Sequence, residues 1–443
     1  MIRAVKLFIF KLKFLIPLAK FQRMQVFKFG GASVKDAESV KNVATILKRH
    51  ENIQKVVVIS AMGKTTNALE DVVNLYIKND EKHLQYLHEI REYHQMVCDD
   101  LFGTNNPIQH KIFAIFDRVE HFCSSNNSKS YSFIYDQIIG VGELASTTIV
   151  SAYLNLNGIQ NIWLDAREMI RTDYAYTDAK ILWKKTENLV HDKIDFSSTH
   201  TFITQGFIGG TPEGFTTTLG REGSDFSAAV FSFCLNAEKM VIWKDVEGVM
   251  NADPKQFEEA VLIPKISFEE AIEMTYYGAK VIHPKTIRPL QNKSIRLEVR
   301  SFIASDKGGT LIDAFEERIE YPPIIVRKAN QVLMHFSAKD FSFIAENHMQ
   351  EIFGAFATSR LRMNMMQNGA INFVAAVDNR EEKINETVAL LEANFSIKLT
   401  GDLDLLTIRH YNEAILNSEL SNKTRWLTQQ SQETIQVLYR DTY

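Results

Sequence analysis

The sequence predicts an α/β protein, with a three-layer, mostly parallel sheet between helices and then a smaller region of ferredoxin-like order. Three observations carry that expectation. From Met24 to about Ile312, short apolar runs rich in β-branched residues alternate with segments of helical period. Stretches rich in glycine, hydroxyl and charge fall at the ends of those runs, where open parallel sheets gather their binding loops. Near Ile312 the character changes, and past the Pro-Pro break of ERIEYPP the order becomes β-α-β-β-α-β.

The elements follow in order. VFKF (Val26–Phe29) is an apolar strand with a lysine, Lys28, inside it, leading into Gly30, Gly31 and Ser33. Asp36–His50 has Val40, Val43, Ala44 and Leu47 on one helical face. VVVIS (Val56–Ser60) is a buried parallel strand, as are Asn161–Ala166, Thr201–Gly209, Met240–Val246 and Ile295–Phe302. Helical period recurs over Tyr135–Leu156, Ser224–Cys234 and Ser267–Tyr277, and residues Glu81–Ser130 read as a polar helical insertion closed by an Asn/Ser-rich loop. After the break come the strand VLMHFSA, a helix near Asn347–Leu361, strands at Arg362–Met366 and Ala370–Val377, a helix at Glu381–Asn394 and a strand at Leu405–His410. The remainder adds a short helix and the strand IQVLYRD, which completes one unit and leaves a second partial.

Composition narrows the function. With 45% hydrophobic and 23% charged residues over 443 positions, the chain is an ordinary globular protein of two or three domains. A net charge of −4 suggests no nucleic-acid partner. Cys98, Cys123 and Cys234 lie far apart, which predicts neither a disulfide framework nor a metal pair and fits a reducing, cytoplasmic setting. Residues 1–23 are basic and apolar, but lysines interrupt the apolar run and no small-residue cleavage site follows. They are read as an extension outside the fold, with an amphipathic surface helix as the alternative, and no membrane span is predicted.

Taken alone, Lys28 reads equally as an exposed lysine of an edge strand or as part of a phosphate cradle. In such a cradle glycines admit backbone N–H groups to an anion, and the following helix offers its positive end. The G-x-x-x-x-G-K-[ST] loop is absent from the chain, so a cradle here belongs to another nucleotide-binding design. Four further segments share this character: SAMGKTTN (Ser60–Asn67), GVGELAST (Gly140–Thr147), TTTLGREGSD (Thr216–Asp225) and WKDVEGVMNADPK (Trp243–Lys255). Each singly could be a plain turn. Five together argue for a ligand site.

With FKFGGASV, TQGFIG and YGAKVIHP added in sequence order, this set resembles the aspartate kinases of the amino-acid kinase superfamily, whose fold is carbamate-kinase-like. The resemblance covers about Met24 to Ile312. It implies a catalytic domain over 24–312, an ACT-type regulatory region over 313–443, and ATP-dependent phosphorylation of the side-chain carboxylate of L-aspartate. That carboxylate, with a reference pKa near 3.9, is ionised at neutral pH and needs no general base. Catalysis must then come from alignment and positive charge. The resemblance implies that Lys28 meets the transferring phosphoryl group beside Gly30, Gly31 and Ser33, and that Asp225 orients Lys28. It assigns Arg221 to a substrate carboxylate, Glu143 to the ammonium, Thr66 and Ser224 to hydroxyl contacts, and Phe207 to the pocket wall. Lys244, Asp245, Met250, Lys255, Lys280 and Val281 fall on its nucleotide positions. Mg²⁺ comes with ATP, so no dedicated metal-ligand cluster is expected.

Two departures stand out. Glu222 occupies a position where many relatives carry glycine, and it is expected to point away from the anion. DFSFIAENHMQEIF (Asp340–Phe353) lacks the met-leu and gly-phe pattern of ACT effector sites, so lysine or threonine feedback is not carried over. The competing readings are a non-catalytic ACT-containing subunit, or a related kinase acting on glutamate or N-acetylglutamate. Open sheet edges in the C-terminal region predict a homodimer joined through it.

Overall fold

The computed structural model describes residues 24–279 and 282–441. The expectations for residues 1–23, and for Lys280 and Val281, lie outside the described residues. The chain divides into two compact units: one runs to Gly248 and includes His283–Ala314, and the other comprises Val249–Ile282 and the chain from Phe315 onward. This division differs from a single cut at Ile312.

In the first unit, seven strands lie in one sheet. β1 (Gln25–Phe29), β2 (Lys55–Ile59), β3 (Ile162–Trp163), β4 (Thr201–Gln205), β7 (Lys239–Lys244), β9 (Arg296–Ser301) and β10 (Thr310–Asp313) run in the order β3-β4-β2-β1-β7-β9-β10. Neighbours are parallel except β10 against β9. β1, β2 and β4 are buried at every position, as continuous apolar runs in a parallel sheet should be. The helix Ala37–Arg49 starts where Asp36 accepts from the Ser39 N–H at 2.8 Å and buries Val40, Val43, Ala44 and Leu47. The polar insertion is two helices, Lys82–Phe102 and Pro107–Ser125, whose apolar stripes (Leu87, Ile90 and Val97; Ile112, Ile115 and Phe116) join the main core.

Three elements differ from expectation. The strand expected over Asn161–Ala166 shortens to Ile162–Trp163, because Asp165 caps a 3₁₀ turn by accepting from the Arg167 N–H. The strand Thr201–Gly209 breaks at Phe207, whose φ is +68°, and continues as β5 (Ile208–Gly210) paired with β6 (Thr216–Thr218). The helix expected at Tyr135–Leu156 is two helices, Tyr131–Ile139 and Val141–Leu156, joined at Gly140.

The second unit holds an antiparallel sheet of six strands. β11 (Ile324–Ala338), β12 (Met363–Asn368), β13 (Asn372–Asp378), β14 (Phe395–Arg409), β15 (Lys423–Gln430) and β16 (Thr434–Asp441) lie in the order β12-β13-β11-β14-β16-β15. The β-α-β-β-α-β order from β11 to β14 is present, with helices Glu346–Thr358 and Glu381–Leu391 burying Ile352, Phe356, Ile384 and Leu391 against it. β11 and β14 extend past bulges near Lys328 and Gln331, so that the first residues of β11 (Ile324–Lys328) pair with the last of β14 (Leu405–Arg409), which pair in turn with β16. That partial module takes Ala252, Phe257 and Ala260 into its core, beside Ile325, Leu406, Ile435 and Val437. Val249–Ile282 also contributes β8 (Lys265–Ser267) and the helix Phe268–Tyr277. Glu270 on that helix accepts two hydrogen bonds from Arg409, each 2.7 Å. Here the expected partial second unit finds the partners it lacks.

Candidate functional site

β1 lies between β2 and β7, so Lys28 is on an interior strand and the edge-strand reading fails. Its side chain is buried, and its Nζ sits 2.6 Å from Asp225 Oδ1. The chain leaves β1 through Gly30 into the 3₁₀ turn Gly31–Val34. A methyl group on Gly31 would stand 2.8 Å from the carbonyl oxygens of both Ala61 and Gly63, so only glycine fits where this turn meets the SAMGKTTN loop. The Gly63 N–H donates to the Gly31 carbonyl at 3.0 Å, and Ser33 is buried.

Asp225 stands in the first turn of the helix Gly223–Cys234. Burial pushes its carboxyl up, but Lys28 and then Lys244 more than offset this and hold it below the ordinary carboxylate range. Lys244 closes β7, the other neighbour of β1, and the exposed Asp245 follows it. Lys28, Gly30, Gly31, Asp225 and Lys244 therefore share the carboxyl ends of adjacent parallel strands, the place where such sheets bind ligands.

Glu143 lies in the first turn of the helix Val141–Leu156 and is buried. One oxygen, Oε1, accepts from the Ala61 N–H at 3.4 Å, while Oε2 is buried with no hydrogen-bond partner among the described residues. Burial pushes the carboxyl up to about 8. A buried carboxyl with one oxygen unanswered is costly unless a cation or donor arrives. Thr65 Oγ1 in the same loop is also buried and unanswered, while Thr66, the residue named from sequence, is half-buried. Nothing in the pattern separates the two threonines.

The loop before Asp225 is tied down at several points. Phe207 donates its N–H to Ser227 Oγ at 2.9 Å, accepts from the Leu219 N–H at 2.9 Å, and lays its ring on Gly223. Ser224 is half-buried and Arg221 exposed. Arg221 lines a groove of about 840 Å³ together with Asp178, Phe226, Lys285 and Arg288. Glu222 adopts φ +54°, and its Oε2 accepts from the His283 N–H at 3.0 Å. The carboxylate is thus engaged with the backbone of His283. His283 in turn caps the helix Pro284–Asn292 by accepting from the Lys285 N–H. Lys285 Nζ reaches Asp178 Oδ1 at 2.6 Å and the Leu219 carbonyl at 2.9 Å. Asp178 and Lys285 carry no sequence signal of this role.

Met250 and Lys255 belong to the second unit. Met250 bridges to Leu262, and Lys255 is exposed, with its N–H donating to Asp253. Lys280 and Val281 lie outside the described residues. Among the described residues no helix is long and apolar enough to cross a membrane.

The sequence model described as the amino acid kinase family matches residues 23–301. Bifunctional aspartokinase/homoserine dehydrogenase 1, chloroplastic, of Arabidopsis thaliana is 32% identical over 306 residues, or 67% of this chain and 33% of that protein. The chain therefore spans about a third of that relative's length. Lysine-sensitive aspartokinase 3 of Escherichia coli (strain K12) is 29% identical over 373 residues, or 80% of this chain and 78% of that protein. The crystal structure of E. coli aspartokinase III in complex with aspartate and ADP (R-state) aligns with a TM-score of 0.79 at 25% identity, covering 94% of this chain and 96% of that one.

Proposed function

The chain belongs to the amino acid kinase family, and from that premise we propose that it transfers the γ-phosphoryl group of ATP to the side-chain carboxylate of L-aspartate, giving 4-phospho-L-aspartate and ADP. The observation that carries the proposal is the buried Lys28–Asp225 pair at the glycine turn, in the same unit as a buried Glu143 with one oxygen unanswered. The similar E. coli protein, solved with aspartate and ADP, supports the choice of substrates.

The chemistry follows from the charges. A carboxylate oxygen attacks the γ-phosphorus, and the bond from that phosphorus to the β,γ-bridging oxygen breaks as ADP leaves. Two anions must meet, so the protein's task is to align them and to supply positive charge. Lys28 faces the transferring group beside the N–H groups of Gly30 and Gly31, with Asp225 fixing its ammonium. Glu143 takes the substrate ammonium, Arg221 a carboxylate through a forked pair, and Thr66 and Ser224 add hydroxyl contacts beside the wall of Phe207. Lys244 and Asp245 serve the nucleotide; Met250, Lys255, Lys280 and Val281 are assigned to it from sequence resemblance alone. Mg²⁺ on the nucleotide phosphates neutralises their charge. The buried carboxylate at the glycine turn, Asp225, is already paired with Lys28, which fits a metal carried by the nucleotide.

We further infer that the second unit is an ACT-type regulatory region through which two copies associate, and that the protein works in a reducing, cytoplasmic setting, which its three free thiols fit. ADP release with L-aspartate, L-glutamate and N-acetylglutamate in parallel tests the central claim. Turnover with L-aspartate alone is expected. Preference for either competitor, or no turnover with any, would refute it.

A further inference from the structure

Asp136 is fully buried in the helix Tyr131–Ile139, and four hydrogen bonds converge on its carboxylate. The Thr177 N–H lies 3.0 and 3.2 Å from its two oxygens. The Thr218 N–H donates at 2.8 Å, and the Thr218 hydroxyl at 2.7 Å. The next residue repeats the attachment, since Gln137 both donates to the Thr216 carbonyl and accepts from the Thr216 N–H. One turn on, a methyl group at Gly140 would stand 3.0 Å from Thr216 Cγ2, so the helix end is pressed against β6.

The placement of this clamp matters. Seven residues beyond Asp136, past the junction at Gly140, the next helix begins with Glu143 in its first turn, and three residues beyond Thr218 the loop that follows β6 holds Arg221. Thr177, held at φ +71° by the same carboxylate, precedes Asp178, which Lys285 joins to the Leu219 carbonyl. Every donor to Asp136 thus belongs to a segment that ends at the Arg221 loop.

We propose that Asp136 is a positioning residue for the amino-acid substrate: it fastens the helix that leads through Gly140 into the Glu143 helix to the strand that leads into the Arg221 loop, and so sets the separation of the ammonium and carboxylate anchors. The proposal rests on the reading of those two residues as the substrate's anchors. An ionised acid buried among apolar side chains is expensive, and burial does push this carboxyl up, to about 6. The hydrogen bonds from Thr218 and Thr177 work against that cost. A carboxylate suits the position because it accepts from donors on both sides, which an amide with one oxygen cannot do.

The test uses the full chain with Asp136→Asn and, as a milder change, Thr218→Val, which removes one of the four hydrogen bonds. The expected result for Asp136→Asn is a KM for L-aspartate raised about ten-fold, with kcat and the KM for ATP within about two-fold of wild type. Thr218→Val is expected to give a smaller rise of the same kind, and it stands in if Asp136→Asn does not fold. An unchanged KM for aspartate, or kcat and both KM values moving together, overturns the proposal. Amide hydrogen exchange supplies a reading that needs no substrate. Faster exchange in the variant at both 140–144 and 219–223 supports the clamp, and change at one segment or neither overturns it. If wild type fails to turn over aspartate, the functional reading falls, and the exchange result alone then decides the role of Asp136.

Discussion

Lys28 and Asp225 share one buried ion pair, so removing either leaves the other uncompensated. Breaking a buried pair on one side typically costs about 3–5 kcal/mol, whereas replacing both partners with neutral groups can be nearly free. Lys28→Met is therefore expected to lower both stability and kcat, the latter by about 10²–10³-fold, as loss of a transition-state charge contact does. Adding Asp225→Asn should restore the melting temperature and leave kcat low. Recovery of turnover in the double variant would show that the pair is structural. Glu143 supports a second prediction. Its folded value is raised by burial, from 4.5 to about 8. A raised acid contributes stability that is present below its unfolded value and lost as pH rises through the folded one. In the free protein at pH 7 it is mostly protonated, yet the substrate ammonium favours its ionised form. Binding of aspartate at pH 7 should then release a proton, and affinity should rise as pH approaches 8. Calorimetry in two buffers of different ionisation enthalpy measures this, and Glu143→Gln should abolish it. Absence of proton release in wild type would remove Glu143 from the ammonium site. At this scale the sequence was informative where a residue sits inside a glycine-rich motif, as Lys28, Glu143 and Asp225 do. Asp136 was silent, because an acid in FIYDQII reads as one polar position on a helix. Only its three donors, the Thr177 N–H and the N–H and hydroxyl of Thr218, all distant in sequence, give it meaning.

At the scale of elements, strands buried on both faces were legible as unbroken apolar runs, and β15 was not. KTRWLTQQ has no buried face, being exposed or half-exposed throughout, so no alternation marks it as a strand. It exists because β16 offers a pairing edge. The helix Phe268–Tyr277 was visible by period, but not what it packs against. In the second unit Arg409 grips Glu270 with two 2.7 Å hydrogen bonds, adds Thr434 at 2.8 Å, and so fixes this helix to the β14 and β16 end of the sheet. Burial pushes the Glu270 carboxyl up, but the Arg409 and His410 contacts outweigh it and hold the group at about 2. A depressed acid contributes stability above its unfolded value, here 4.5, and loses it as pH falls through the folded one. The second unit should therefore loosen between about pH 4.5 and pH 2, in a step that Glu270→Gln removes. The same variant should cost up to about 3–5 kcal/mol at neutral pH, because buried Arg409 loses its buried carboxylate and keeps only the more exposed Glu273, at 3.2 Å, as a charged hydrogen-bond partner. Chemical denaturation followed at Trp426 or by circular dichroism, at pH 7 and pH 3, checks both signs. A variant as stable as wild type at pH 7 would mean that the existing Glu273 contact and water suffice for Arg409.

For the whole molecule, the partial ACT-like module takes its missing core from Val249–Ile282, so a cut near Ile312 would strip Ala252 and Phe257 from their packing partners. Truncation is thus a poor test of association, and point variants in the full chain are better. The second unit leaves β12 and β15 as sheet edges, and open edges invite pairing unless they are covered or charged. Among its exposed apolar side chains are Phe341, Phe343, Phe353 and Ile371, at 91%, 72%, 41% and 57% exposure. The two segments that carry them meet, since the Ile344 N–H donates to the Ala370 carbonyl at 2.8 Å. Four such side chains within two short segments form the kind of patch that marks an interface rather than a free surface. A two-fold arrangement would place this patch of one copy against the same patch of another, covering the segment Asp340–Phe353 in both. Light scattering on the full chain should report a dimer, and on the Phe341→Asp, Ile371→Asp variant a monomer that still releases ADP. A monomeric wild type would sink the dimer. A variant that remains dimeric would move the interface to another surface.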